Sequence, residues 1–289
     1  DVQRMGPATG GATTVAQGDV QFVRWGTSGG YPIIALAPAS VAECYSLTRR
    51  AFDFAERFRV PVFLLTDKEM FLSMSTAALD GYERPPVRAR RAAAALPAGA
   101  PGLRAEESHF PYRFEPLDEA PPFAAIGGPL ITRFTGSSHD EHAMLTKDPA
   151  AVGRLNAHLV RKIEDHADEI ALVTPDLEQG ARTLFISYGI TARGMREAVR
   201  QARAAHQPVS ALTLQTLWPF PERAVLEAAA GIERVVVAEL NHGEVRREVE
   251  RVIYAAAAKD GRPAPEILGL HRVDGQLIEP RQFLEAIRP

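Results

Sequence analysis

A single cysteine, Cys44, stands in 289 residues. One thiol closes no internal disulfide and cannot hold an iron–sulfur cluster, which normally takes four thiolates. Lysine is almost as scarce, and Lys68, Lys147, Lys162 and Lys259 are the whole set. The formal net charge is −3, which removes the electrostatic case for a nucleic-acid partner. No apolar run approaches the roughly 18 residues that span a bilayer. No secretory pattern is visible either, so the expected setting is a reducing cytoplasm. What is abundant is arginine and alanine, with 46% hydrophobic and 24% charged residues, the composition of a globular chain with room for two domains.

The most informative stretch lies near the start. Gln3-Arg4-Met5-Gly6-Pro7-Ala8-Thr9-Gly10-Gly11-Ala12-Thr13 combines an arginine, glycines and threonines, and Gln17-Gly18-Asp19-Val20 follows. Glycines permit positive φ and close backbone approach. Threonine hydroxyls and a planar guanidinium suit a carboxylate or phosphate. The segment reads as a loop that holds a small anion, or as a plain surface turn. It is not a Walker loop, because no Gly-Lys-Ser/Thr closes it, and Gly6-Pro7-Ala8 breaks the dinucleotide spacing.

These residues resemble the Gln-Arg-x-Gly-Pro-Ser-Thr-Gly-x-x-Thr segment and the Gln-x-Asp-Leu that follows it in alpha subunits of the 2-oxoacid:ferredoxin oxidoreductases, most closely on the 2-oxoglutarate branch. Ala8 departs from the usual serine and removes one hydroxyl. Trp218-Pro219-Phe220-Pro221 and Glu239-Leu240-Asn241-His242-Gly243 are similar to recurrent segments of the same subunits' transketolase carboxyl-terminal domain. The resemblance implies that Arg4 and Thr13, with Thr9 beside them, bind a 2-oxoacid next to thiamine diphosphate. It assigns no catalytic residue, cofactor ligand or metal ligand to this chain. It also implies a beta subunit that binds the diphosphate through magnesium and carries the iron–sulfur cluster, with coenzyme A as co-substrate and ferredoxin as electron acceptor.

Other motifs carry less. Gly26-Thr27-Ser28-Gly29-Gly30 formally matches a nucleophile elbow, but a helix precedes the serine where a strand is required. His139-Asp140-Glu141-His142 invites a metal reading, yet its spacing is not that of a helical zinc site. His242 reads as a strand-end residue or a proton donor. Cys44 reads as a small core hydrophobe. The basic run Arg88–Arg91 reads as a solvated loop, with docking of an acidic ferredoxin as the counter-reading.

Periodicity predicts a helix from Gln17 to Trp25 with Val20, Val23 and Phe22 inward. Ser40-Val41-Ala42-Glu43 is a capping box. The helix after it carries Val41, Cys44, Tyr45, Thr48, Ala51, Phe52, Ala55 and Phe58 on one stripe. Val60–Leu65 is an apolar strand of the kind covered on both faces. Thr66-Asp67 closes it as either a ligand position or a helix cap. A Pro-rich stretch follows to Pro122, then a helix at Asp148–Ala167. Strands at Thr183–Tyr188, Val209–Leu212 and Arg234–Leu240 alternate with helices beyond it.

The expected fold class is α/β, with two doubly wound domains. The first is thiamine diphosphate pyrimidine-binding-like and N-terminally incomplete, with an upstream part expected to lie outside the sequence. The second is transketolase C-terminal-like. The expected division is 1–85, a Pro-rich linker or surface loop at 86–150, and 151–289. The expected function is oxidative decarboxylation of 2-oxoglutarate to succinyl-CoA with electrons passed to ferredoxin, active only with the beta subunit. The alternatives are a non-catalytic structural subunit, another 2-oxoacid such as pyruvate, and a thiamine-dependent relative that uses no ferredoxin.

Overall fold

The computed structural model describes residues 1–77, 90–93, 109–130 and 132–287. The chain divides into two compact units. The first gathers Asp1–Phe52, Pro61–Arg84 and Ala167–Pro289, and the second Asp53–Val60 and Pro85–His166. In the stretch expected as a linker, residues 86–89, 94–108 and 131 lie outside the described residues, as does the expected boundary at 85/86.

From the amino terminus, β1 (Val2–Gln3) leads into the Gly-rich loop and α1 (Val20–Trp25) follows it. Then come β2 (Ile34–Leu36), α2 (Val41–Phe58), β3 (Val62–Leu64), β4 (Thr66–Asp67) and α3 (Lys68–Leu72). β1 pairs with β4, and β2 with β3, both in parallel. The strand expected to be covered on both faces is β3, which is short and only half-buried. It lies at the edge of its three-stranded sheet, where the Asp1 ammonium donates to the Leu64 carbonyl at 3.0 Å.

α1 is shorter than expected and turns Phe22 outward, 72% exposed, while Val20 and Val23 are buried. The α2 stripe is also rotated: Phe58 is buried as expected, but Tyr45 and Phe52 are exposed, and Ala42, Leu47 and Phe54 are buried instead. Apolar residues surround this helix, so the period alone allows more than one face. Its capping box sets the rotation. Ser40 Oγ accepts the Glu43 N–H at 3.1 Å, and the buried Glu43 carboxylate accepts the Ala39 N–H at 2.8 Å. Asp67 is a helix cap: its Oδ1 accepts the Met70 N–H at 2.9 Å.

In the second unit α4 (Pro149–Glu164) starts at Asp148, whose carboxylate accepts the N–H groups of Ala150 and Ala151. It ends three residues before the expected stop. The remaining turn is a separate helix, α5 (Ala167–Ile170), of the first unit. His158 of α4 stacks on Phe114 at 3.6 Å and lies 2.7 Å from the Leu117 carbonyl through Nδ1.

The rest of the first unit runs β5 (Val173–Asp176), β6 (Thr183–Tyr188), α6 (Thr191–Ala204), β7 (Ser210–Leu214), β8 (Thr216–Trp218), α7 (Glu222–Ala228), β9 (Arg234–Glu239), α8 (Glu244–Asp260), β10 (Glu266–His271) and α9 (Pro280–Ala286). Five of these strands form a sheet in the order β10-β9-β6-β7-β5, parallel except for the β5 edge. Side chains alternate across it, as the period of two requires. Leu184, Ile186 and Tyr188 pack with Val225, Val245 and Val249 of α7 and α8. Phe185 and Val236 pack with Met195 of α6 and Phe283 of α9. Helices therefore cover both faces, the doubly wound arrangement. β8 leaves this sheet and pairs antiparallel with β2, joining the sequence halves within the first unit.

Candidate functional site

The Gly-rich loop closes on itself, with the Gly11 N–H donating to the Met5 carbonyl at 3.0 Å and Thr14 Oγ1 to the Gly11 carbonyl at 2.7 Å. Gly10 sits at φ 48°, and a Cβ there would fall 1.7 Å from the Met5 oxygen. Only glycine fits. Thr13 also lies in the left-handed region, at φ 61°. For a β-branched residue that conformation is strained, by about 1–3 kcal/mol, and such strain gathers at functional sites.

Arg4, Thr9 and Thr13 are all exposed on this one loop. The Arg4 backbone N–H donates to Asp19 Oδ2 at 3.3 Å, while its guanidinium has no hydrogen-bond or ion-pair partner among the described residues. Gln3 is 2% exposed, and its Oε1 has no partner among the described residues. The exposed guanidinium is therefore a cation whose polar demand the described residues leave open, and the buried Gln3 oxygen is a separate unmatched acceptor.

What fixes the loop is the segment after it. In an open α/β sheet, ligands gather at the carboxyl ends of strands where the strand order reverses. Here β7 lies on one side of β6 and β9 on the other, so the reversal falls between Tyr188 and Glu239. Gln17 fills that position and is fully buried. Its Nε2 donates to the Tyr188 carbonyl at 3.1 Å, and its Oε1 accepts from Thr191 Oγ1 at 3.0 Å and the Leu240 N–H at 2.9 Å. Its backbone carbonyl accepts from Asn241 Nδ2 at 2.7 Å. Gly189, at φ 55°, gives it room: a Cβ there would lie 2.6 Å from Gln17 Nε2.

The network continues beneath. The Tyr188 hydroxyl donates to Glu239 Oε2 at 3.2 Å and accepts from Asn241 Nδ2 at 2.9 Å. Burial, and then the Glu239 charge, push the Tyr188 hydroxyl well above the usual phenol range. Burial also raises Glu239, against the pull of the Val245 and Arg246 N–H groups that it accepts. Glu244 Oε2 accepts the Gln21 N–H at 2.7 Å, and burial pushes its carboxyl up to about 7. Asp67 Oδ2 accepts the Ile190 N–H at 3.3 Å.

The other sequence candidates sit apart from this network. Ser28 lies in an exposed turn after α1, and His242 is exposed beyond β9. His139 Nδ1 lies 2.6 Å from the Ser137 carbonyl, Asp140 accepts the His142 and Met144 N–H groups, and Glu141 pairs with Arg113. These four side chains do not converge, and no group of three potential metal ligands occurs among the described residues. Gln17, Tyr188, Glu239 and Asn241 were not expected as site residues. Their one signal is position, each polar group standing at the edge of an apolar strand or of the glycine motif.

A Gly-rich loop anchored at the switch point of a doubly wound sheet, with an exposed guanidinium unpaired among the described residues, defines an α/β subunit of the thiamine-dependent type. Residues 1–109 match the family described as pyruvate flavodoxin/ferredoxin oxidoreductase, thiamine diphosphate-binding, and residues 181–283 match pyruvate:ferredoxin oxidoreductase core domain II. The 2-oxoglutarate synthase subunit KorA of Methanothermobacter thermautotrophicus is 34% identical over 99% of this chain and 71% of its own length. The KorA subunit of Methanocaldococcus jannaschii is 32% identical over 99% of this chain and 72% of its own. The solved 2-oxoglutarate:ferredoxin oxidoreductase from Magnetococcus marinus superposes with a TM-score of 0.80 at 22% identity. This chain spans 47% of that chain. The chain belongs to the alpha subunits of the 2-oxoacid:ferredoxin oxidoreductases.

The described residues fit one wall of a thiamine diphosphate site. Arg4, Thr9 and Thr13 are exposed on one loop, and a guanidinium with two hydroxyls has the donor chemistry that an anionic group beside that cofactor requires.

Proposed function

We propose that this chain is the substrate-side half of a thiamine diphosphate-dependent 2-oxoglutarate:ferredoxin oxidoreductase, forming succinyl-CoA and passing electrons to ferredoxin. In this reading a beta subunit holds magnesium, the diphosphate and the iron–sulfur cluster. The cytoplasmic setting and the division at 1–85, 86–150 and 151–289 are part of the same proposal. The observation that carries it is the Arg4 guanidinium, unpartnered on a loop whose backbone is locked by Gln17 and Asp19.

Thiamine diphosphate, when bound, supplies a nucleophilic ring carbon and a sink for the electrons released with carbon dioxide. The chain's own part is orientation. Arg4 takes the carboxylate through its planar fork, Thr13 adds a hydroxyl, and Thr9 adds a second. Because the loop is strained and clamped before substrate arrives, little ordering remains to be done on binding.

The test is a complex of this chain with its beta subunit, assayed for coenzyme A-dependent dye reduction with 2-oxoglutarate and with pyruvate. The complex is expected to prefer 2-oxoglutarate, and the chain alone to be inactive. Arg4→Ala is expected to remove a charge-assisted contact of about 1.5–3 kcal/mol, or about 10- to 150-fold in kcat/KM. Thiamine content and assembly should stay normal. Unchanged kcat/KM in a fully loaded Arg4→Ala complex refutes the assignment.

A further inference from the structure

The second unit carries an arrangement that the proposed reaction does not use. α2 ends at Phe58, and Arg59 continues in the left-handed conformation at φ 49°. That position after a helix usually goes to glycine, because a Cβ there crowds the following carbonyl. Arginine stands there despite the strain, and its guanidinium lies 5.1 Å from the centre of the Phe123 ring. The Arg90 guanidinium lies 4.5 Å from the same centre. Backbone bonds hold this neighbourhood together, from the Phe123 N–H to the Arg91 carbonyl at 2.7 Å and from the Ala93 N–H to the Phe123 carbonyl at 2.9 Å.

Between these groups lies a cleft of about 250 Å³ lined by Glu56, Arg57, Arg59, Arg90, Arg91 and Glu119. Arg57 grips Glu119 through two bonds of 2.6 and 2.9 Å, and Arg90 grips Glu56. Four guanidiniums against two carboxylates leave two positive charges, on Arg59 and Arg91. Neither has a carboxylate partner among the described residues; Arg91 donates to the Ala120 carbonyl at 2.6 Å. Burial, then repulsion from Arg90, holds the Arg59 guanidinium below its usual range, and Glu56 offsets only part of this. Lys162, buried and donating to the Arg59 carbonyl at 3.4 Å, adds another nearby cation. Cations clipped together by backbone bonds, rather than relaxed apart, are relieved by an anion of matching charge.

We propose that this cleft binds the dianionic phosphate group of a small phosphoester. Two guanidiniums without a carboxylate partner among the described residues match a dianion in charge, and each has N–H groups to offer to phosphate oxygens. The cleft walls beyond them, Ala120 and Pro121, offer apolar surface to the rest of the ligand. The site lies in the second unit and does not depend on the oxidoreductase reading. Coenzyme A is one possible carrier of such a phosphate, and a different phosphoester is the other.

The test uses calorimetric titration of the full chain with inorganic phosphate, coenzyme A and dephospho-coenzyme A. Inorganic phosphate should bind saturably to the wild type. Its affinity should fall about tenfold or more in Arg59→Gly and Arg91→Gln, and stay unchanged in Lys259→Gln, on the exposed end of α8. Arg59→Gly suits the left-handed turn, so its Tm should not fall. Loss of binding in that variant therefore reports the guanidinium and not the fold. Coenzyme A binding tighter than dephospho-coenzyme A, with the difference gone in Arg59→Gly, identifies coenzyme A as the carrier. Equal affinities for the two, with phosphate binding still lost in Arg59→Gly, identify a different phosphoester. No saturable phosphate binding by the wild type, or equal phosphate affinity in wild type and Arg59→Gly, overturns the proposal.

Discussion

Replacing Gln17 by methionine keeps the length and volume of the side chain but strips it of polar atoms. In the fully buried site three groups then lose their partner: the Tyr188 carbonyl, the Leu240 N–H and the Thr191 hydroxyl. The hydroxyl can rotate toward another acceptor, but the two backbone groups cannot. An unsatisfied buried polar group costs about 1–3 kcal/mol, so the variant should lose about 2–6 kcal/mol. That is a large share of the roughly 5–15 kcal/mol by which domains are stable. At about 2–4 °C per kcal/mol for a unit of this size, the midpoint for a loss near 4 kcal/mol should fall by about 8–16 °C. Thermal and urea unfolding of the first unit measure it. Hydrogen exchange at the Leu240 amide should accelerate in parallel, because its acceptor is gone. A loss below about 1 kcal/mol, with Leu240 exchange unchanged, would refute the idea that Gln17 holds the network together.

Gly189→Ala should damage the same joint from the other side. A left-handed alanine costs about 1–2 kcal/mol, and its Cβ would press on Gln17 Nε2, so a loss no larger than the conformational term argues against the contact. Glu244, whose folded value of about 7 lies above its ordinary 4.5, favours the folded state while protonated. That contribution is complete below about pH 4.5 and is lost as pH rises through 7. Glu244→Gln keeps an acceptor for the Gln21 N–H and should flatten this part of the stability profile, by about 1–3 kcal/mol after allowance for partial exposure; an identical slope in both proteins would discount Glu244. In the complex, Arg4→Lys should restore only part of the Arg4→Ala loss, because lysine lacks the fork, and Thr13→Val should cost about 0.5–1.5 kcal/mol in kcat/KM. Full rescue by lysine would mean that charge alone suffices.

The elements whose signals are local were legible. The strands Thr183–Tyr188 and Arg234–Glu239 announce themselves as apolar runs, and the α2 start as Ser40 and Glu43. The Gly-rich loop is readable because Gly10 is sterically compelled. Facing was less legible. Apolar residues ring α2, and its rotation is fixed by the buried Glu43, which also reaches Arg196 at 3.3 Å, a partner 153 positions away. Asp67 could be a cap or a ligand from sequence; the Met70 and Ile190 N–H groups decide for a structural role. The clamp was illegible for the same reason. Gln17 meets Tyr188 and Leu240 across 171 and 223 positions, and no local pattern encodes such a meeting.

A crevice that other sheets of this type leave open for a ligand is here filled by the protein's own Gln17. The loop is thus pinned at its start, where the Arg4 N–H donates to Asp19, and bolted down behind by Gln17, while the Arg4 guanidinium projects from it unpaired among the described residues. The stiffness of that bolt resides in Tyr188, Glu239 and Asn241, none of which is on the loop. On the proposed role of Arg4, the residues that set substrate affinity are therefore scattered along the gene in distant islands. A change at Asn241, remote from the glycines in sequence, should be felt at the tip as a change of aim.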